Sequence, residues 1–389
     1  MTSVANSAES IDRKAIAAWS VRVAFSMLIV AMVVAVAGSS AFADDIRKLS
    51  AAREKKVDEA VQKQIQQQQL VGVAVGVIQN GKVVMTKAYG FEDRDAKVPL
   101  STDSLIRWAS VSKTLTAVVA AQLAEEKKLD LTADVRTLVP EFPDKGELIT
   151  VRDLLCHQSG IVHYSNGTVT ETQATYSAEH PFEDVVAALD KFKESPLVCK
   201  PREKYSYSTH AYILLSAVTQ RAEQKKFADQ VRLRISEPLK LTTLQPDYQW
   251  QPIPHRAVGY VMKFGRIQKS TDTDVSWKLG GGGFISSIND LALYAEGLLG
   301  HQILSKSSKE IFWQPQTTSD GKVTEMGLGF SVDGKDQQFR VSHNGAQEKS
   351  RTRLVMYPNR RSAVVVMSNC EYADPGKIST AIYEALSAE

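Results

Sequence analysis

Ser110 and Lys113 stand three positions apart at the head of an apolar stretch, a spacing that permits nucleophilic chemistry. A hydroxyl at a helix start lies near free backbone N–H groups and the positive end of the helix dipole, which favours negative charge developing on it. A residue three positions on shares that face, with Cβ atoms about 5–6 Å apart, so the Lys113 amine is within reach of the Ser110 oxygen. Ser-x-x-Lys alone is weak: a second copy, Ser319-Asp-Gly-Lys322, spans a turn signal and reads as surface loop. The first copy, by itself, also fits a serine that caps the helix beside a solvated lysine. Two later segments carry polar groups suited to the same chemistry. In one, Tyr and Ser alternate through Tyr205-Ser-Tyr207-Ser-Thr209 and run into an amphipathic helix; the other is Val341-Ser-His343-Asn344-Gly345-Ala346-Gln347. Taken singly, they also fit a turn with aromatic packing and a structural histidine beside a glycine.

The elements that must hold these residues follow from the hydrophobic pattern. Residues 71–78 form a β-branched and small-residue run, Asn80-Gly81 signals a hairpin, and 82–89 returns. A helix is expected over 110–128, apolar at Val111, Leu115, Val118, Val119 and Leu123. From there to about residue 300, helical pattern broken by Pro and Gly dominates, clearest over 182–193, 211–223 and 288–299. Strand pattern resumes at 329–332, 339–342, 353–357 and 362–367, before a last helix over 378–386. Strands at both ends with helices between imply an α+β fold in which the two chain ends complete one sheet beside a helical subdomain.

Composition narrows the function. The 389 residues are 43% hydrophobic and 23% charged, with net charge +3, which excludes a disordered chain and makes nucleic acid an unexpected partner. The three cysteines are far apart and the seven histidines form no metal-binding spacing, so no metal or other cofactor is expected. Gly280 to Gly283 is followed by Phe284-Ile-Ser-Ser, not by the Gly-Lys-Ser/Thr of a phosphate loop; a tight backbone crossing is expected there, with Ser287 and Asp290 capping the next helix. At the N-terminus, basic residues precede an apolar run of about 15 residues and an Ala41-Phe-Ala43 site, the order of a secretory signal and short of the roughly 20 residues of a membrane span. The expected organisation is a signal peptide at 1–43, a helical lead-in at 44–69 and one domain at 70–389. Within that domain, 70–110 and 300–389 form the sheet part and 111–299 the mostly helical part. Export to the periplasm or medium is expected, with membrane anchoring only if the signal stays uncleaved.

In this order, Ser110-Val-Ser-Lys113, Tyr207-Ser-Thr209 and His343-Asn-Gly345 resemble the three motifs of the serine β-lactamase and penicillin-binding-protein superfamily, in its class C-like esterase branch. His157-Gln-Ser-Gly-Ile-Val-His-Tyr164 and Lys278-Leu-Gly280-Gly-Gly-Gly-Phe-Ile-Ser-Ser287 add to the likeness, as does Tyr-Ser-Thr in place of Tyr-Ser-Asn, which is similar to the mitochondrial serine β-lactamase-like proteins and their bacterial relatives. The resemblance implies an antiparallel sheet flanked by helices, an inserted helical subdomain, and a site in the cleft between them. It implies a serine hydrolase that forms an acyl-enzyme on Ser110, with Lys113 activating the hydroxyl, Tyr207 assigned to base and leaving-group protonation while the choice of general base between the two stays open, and an oxyanion hole from the backbone N–H groups of Ser110 and Ala346. Thr209, His343, Asn344 and Gly345 are the implied substrate-binding positions. Free Lys and Tyr titrate near 10.4 and about 10, so either must be perturbed to act as base at neutral pH. Thr209 in place of Asn and His343 in place of Lys lower the expectation of β-lactam hydrolysis; Arg351 and Arg353 are the nearby candidates to replace the lost charge. The expected substrate is a small peptide, ester or β-lactam-like molecule. The alternatives are a β-lactamase or penicillin-binding D,D-peptidase, and a non-catalytic assembly or sensor protein with a vestigial site. Oligomeric state is left open.

Overall fold

The computed structural model describes residues 48–387. The expected signal segment, 1–43, lies outside the described residues, as does the start of the lead-in. What is described of the lead-in is α1 (Ala51–Gln68), capped by the Ser50 side chain and ended by Gln69 in the left-handed region. The chain then enters a seven-stranded antiparallel sheet: β1 (Gly72–Gln79), β2 (Lys82–Asp93), β3 (Val98–Pro99), β4 (Ser331–Asp333), β5 (Arg340–Gln347), β6 (Ser350–Tyr357) and β7 (Ser362–Ser368). Their order is β3-β2-β1-β7-β6-β5-β4, so the join between the N-terminal and C-terminal halves is β1 against β7, with Val75 opposite Val366. Asn80 and Gly81 both take positive φ, the geometry of the hairpin turn that their types demand.

Both faces of this sheet are covered, which is why its central strands read as continuous apolar runs. One face, through Ala74, Ile78, Leu354, Met356, Val365 and Met367, joins the main core with the helices α2 (Ser112–Glu125), α3 (Thr209–Glu223) and α4 (Ile288–Leu299). The other lies under α1 and α5 (Pro375–Ser387), where Tyr357 stacks on Tyr383. Gly76 is glycine because a Cβ there would stand 3.0 Å from the Ala292 Cβ and 2.7 Å from a Val365 methyl. Helix α2 is buried on every side from Ser112 to Ala121, so it has no polar face for solvent.

Two regions differ from the sequence expectation. The 182–193 stretch is not a continuous helix but two 3-10 turns, Pro181–Glu183 and Ala187–Lys191. Asp184 accepts the Val186 N–H on its carboxylate, a local bond that replaces the helical one. The middle of the chain also contains sheet: Ile106–Arg107, Phe284–Ser286 and Gln245–Pro246 pair as three short strands, and Tyr260–Lys263 pairs with Arg266–Lys269. Strands of two to four residues carry no readable period; tertiary partners create them.

The first of these short strands leads into the serine turn. Arg107 bonds to Asp247 at 2.5 Å, and Arg256 reaches the other oxygen of Asp247 at 2.8 Å. Asp247 is fully buried and Arg107 is 3% exposed, so neither charge has water to fall back on. The next residue, Trp108, donates its N–H to the Phe284 carbonyl and its indole N–H to Ser286. Removing the carboxylate leaves two guanidinium groups facing each other in the interior. Asp247→Asn is therefore expected to destabilise the fold by about 3–5 kcal/mol, read as a lower urea midpoint with an unchanged slope.

Candidate active site

Ser110 does not cap a helix. It sits on a single 3-10 turn, Ala109–Val111, ahead of α2, and no side chain caps either element. Ala109 holds φ at +48°, a strained value for a residue with a side chain, and turns the chain so that the Ser110 hydroxyl faces back over α2. The turn is held from behind by strand β5: a Cβ on Gly345 would stand 2.3 Å from the Trp108 carbonyl and 3.1 Å from the Ala109 Cβ. Only glycine allows strand and turn to approach this closely. Thr352, opposite Gly345 on β6, donates its hydroxyl to the Arg107 carbonyl at 2.8 Å.

Lys113, the second residue of α2, is fully buried. Its Nζ lies 3.1 Å from Ser110 Oγ, 3.0 Å from Thr209 Oγ1 and 2.6 Å from the Gly281 carbonyl. No carboxylate pairs with it among the described residues. Burial without a counter-charge holds its amine well below the ordinary lysine range. The glycine run makes this contact possible, since a Cβ on Gly281 would lie 2.6 Å from the Thr209 methyl and one on Gly280 would meet Ser216 at 2.5 Å. The sequence marked 280–283 as a backbone crossing; the carbonyl it delivers to Lys113 is a contribution that the pattern does not display.

Thr209 opens α3, and Tyr207 lies in the irregular stretch before it. Burial, the largest influence, pushes the Tyr207 phenol up to about 12, against hydrogen bonds with Ser110 and Thr209 that lower it. The Lys113 ammonium position is 5.0 Å from the centre of the Tyr207 ring. His343, on β5, points its Nδ1 at the Asn344 carbonyl 2.8 Å away, which places the proton on Nδ1 and leaves Nε2 as an acceptor. Burial brings its pKa down to about 3, so the ring is neutral across the physiological range.

Ser110, Tyr207, Thr209, His343, Asn344 and Ala346 line one cleft of about 370 Å³, with Lys113 beneath its floor. Gly345 faces the serine turn instead. His163, Tyr164, Tyr205, Met326 and Ser331 complete the lining. The first two were visible only as part of the 157–164 signature; Met326 and Ser331 arrive by tertiary folding and left no local signal. None of these lining residues carries a carboxylate, ammonium or guanidinium group. Arg351 and Arg353 do not replace the missing charge. Arg351 donates to the Gln347 and Ser350 carbonyls, each at 2.8 Å, and Arg353 donates to the Asn344 side chain. The second Ser-x-x-Lys copy is part of the 317–323 turn, where Lys322 accepts the Thr318 N–H on its carbonyl. Cys156, Cys199 and Cys370 are free thiols.

Residues 57–389 match the family model described as Beta-lactamase. The chain is 32% identical to the human "Serine beta-lactamase-like protein LACTB, mitochondrial" over 304 residues, covering 61% of this chain and 55% of that protein. It thus spans little more than half the length of that relative. Among solved structures, the octameric penicillin-binding protein homologue from Pyrococcus abyssi superposes with TM-score 0.73 at 21% identity, covering 86% of this chain and 77% of that one. EstCE1, a hydrolase with promiscuous acyltransferase activity, gives TM-score 0.72 at 20% identity, covering 85% and 98%. At these identities the two superpositions speak for the fold.

The buried amine has a consequence for stability. Between the depressed folded-state pKa of Lys113 and about 10.4, the unfolded chain holds one proton more than the folded one, so folding free energy rises with pH across that window. Lys113→Met removes the term. Urea melts of both proteins should show the wild type gaining on the variant by up to about 1.4 kcal/mol per pH unit between that depressed pKa and about pH 10.

Proposed function

The chain belongs to the beta-lactamase family, and from that membership together with the Ser110 geometry we propose that it is a serine hydrolase that acylates Ser110 with uncharged esters or amides of small substrates. The observation that carries this reading is the counter-ion-free amine of Lys113, 3.1 Å from the Ser110 oxygen. A neutral amine has two N–H bonds and one lone pair. The Gly281 carbonyl can only accept, and Thr209 Oγ1 is positioned to accept as well, so both N–H bonds are engaged. The lone pair is left for the Ser110 hydroxyl. Lys113 is then the general base, because the Tyr207 phenol is held at about 12 and keeps its proton at neutral pH.

In this mechanism Ser110 Oγ attacks the substrate carbonyl carbon as its proton passes to Lys113 Nζ. The oxyanion of the tetrahedral intermediate accepts hydrogen bonds from the backbone N–H groups of Ser110 and Ala346; one such donor is worth about 3–4 kcal/mol. The C–O or C–N bond to the leaving group breaks, and that group takes a proton from Lys113 through the Tyr207 hydroxyl, which is hydrogen-bonded to Ser110. Water then attacks the acyl carbon as one of its protons passes to the Lys113 amine. The bond from that carbon to Ser110 Oγ breaks and Oγ takes the proton from Lys113, which frees the acid and restores the serine hydroxyl and the neutral amine. The uncharged lining argues for substrates without a carboxylate near the scissile bond, and against a D,D-peptidase or efficient β-lactamase, whose substrates bring one. Action outside the cytoplasm, after removal of residues 1–43, is part of the same proposal.

Two measurements test it. Ser110→Ala is expected to abolish labelling by a fluorophosphonate probe and all ester turnover; undiminished labelling overturns the assignment. In the wild type, kcat/KM for an uncharged aryl ester should climb with pH as Lys113 loses its proton, with an apparent pKa below that of free lysine. Lys113→Arg, which cannot lose a proton in this range, should lose about 10²- to 10⁴-fold and the climbing limb with it.

A further inference from the structure

Tyr207 and Thr209 flank the start of α3, where backbone N–H groups have no partner within the helix. Ser208 is fully buried and Thr209 nearly so, and water cannot serve these groups. The 157–163 segment supplies the acceptors. Ser208 N–H donates to His157 Nδ1 and Thr209 N–H to His163 Nδ1, both at 3.2 Å. The same segment takes the Ser206 N–H on the His157 carbonyl and the Ser208 hydroxyl on the Val162 carbonyl, each at 2.8 Å. The His157 ring also lies 4.3 Å from the Tyr207 ring, centre to centre.

We propose that His157 and His163 are positioning residues for Tyr207 and Thr209, a pair of imidazole acceptors that clamp the tyrosine turn over Lys113 only while both rings are neutral. The inference rests on the hydrolase reading for its kinetic consequence and on geometry alone for the clamp itself. An Nδ1 that accepts from a backbone N–H carries no proton, so each ring must hold its proton on Nε2. In His157 that Nε2 is buried with no partner, an arrangement that leaves one donor unsatisfied to keep Nδ1 free for Ser208. Protonating either ring puts a hydrogen on Nδ1, facing the backbone N–H, and turns the bond into a repulsion.

The surroundings keep the rings neutral. His157 faces Lys113, His343 and His163, with the Tyr205, Tyr207 and Tyr212 rings packed on it. His163 faces Lys113, His210 and Lys278, with Tyr164 and Tyr207 beside it. None of these is a carboxylate, and burial brings His163 down to about 4. The clamp is closed at neutral pH and opens on strong acidification.

Asparagine offers an acceptor near the Nδ1 position without a titration; leucine offers none. For an uncharged aryl ester, His163→Leu is expected to lower kcat/KM about 10- to 100-fold, and His163→Asn, which keeps an acceptor, to recover most of that loss. Equal losses in the two variants, or none in either, overturn the clamp. Imidazole ¹⁵N NMR of the wild-type protein gives a reading that needs no turnover: both rings should be Nε2–H tautomers at neutral pH. On acidification, the Thr209 amide signal should move with the His163 titration. Nδ1–H tautomers would refute the clamp. A wild type that labels with no probe and hydrolyses no ester, yet shows the expected tautomers, sinks the hydrolase reading and leaves the clamp standing.

Discussion

An amine held in the interior without a counter-charge is the constraint around which this fold is arranged. Burying an unpaired ammonium is so unfavourable that the group surrenders its proton instead. Lys113 is in that condition because three elements seal it: the body of α2, the first turn of α3 through Thr209, and the glycine run through the Gly281 carbonyl. Thr209 and Gly281 each give it a hydrogen-bond acceptor, and none of the three elements gives it a negative charge. A carboxylate in any of those places would return the amine toward the ordinary lysine range. The absence of charge from the cleft lining is thus of one piece with the chemistry at its floor.

Closeness of backbone to backbone is the second requirement, and glycine meets it twice. Gly345 lets β5 press against the 108–109 turn, and Gly281 lets the chain cross the start of α3 at van der Waals contact. These crossings bring the C-terminal sheet, the serine turn and the helical middle to a single point, although the three are far apart in sequence. The strained Ala109 persists because Trp108 is fixed on either side of it, by Phe284 and Ser286, and because the Arg107–Asp247–Arg256 cluster anchors the strand that feeds it. Stability stored in that buried ionic cluster holds in place a turn that no local propensity favours.

The substitutions that set this chain apart from the general family pattern act in one direction. Thr209 supplies a hydroxyl to Lys113 where an amide is usual, and His343 is a neutral ring whose proton is committed to the Asn344 carbonyl. Arg351 and Arg353, which the sequence offered as substitutes for a lost charge, are occupied by carbonyls and by Asn344. Polarity in the cleft therefore comes from hydroxyls, phenols, imidazoles and the Asn344 amide, groups that orient a substrate by hydrogen bonds without selecting for ionic charge.

Much of this was legible along the chain. The 288–299 helix, the Asn80-Gly81 hairpin and the apolar runs of β1 and β7 follow from periodicity and turn chemistry, because a strand or helix that buries a face must repeat its pattern with that face. The Ser110–Lys113 pairing is likewise local, since three residues span less than a helical turn. What the sequence could not decide is whatever depends on contacts between distant segments. Whether Lys113 is charged rests on who surrounds it, and the Tyr207 proton rests on its burial; both are properties of packing. That Ser110 lies on a strained turn and not at a helix cap is settled by β5 pressing from behind. The two-residue strands, the carbonyl of Gly281 and the histidine acceptors at 157 and 163 have the same origin. A residue's type states which bonds it can make, and only the folded chain states which partner is there to make them.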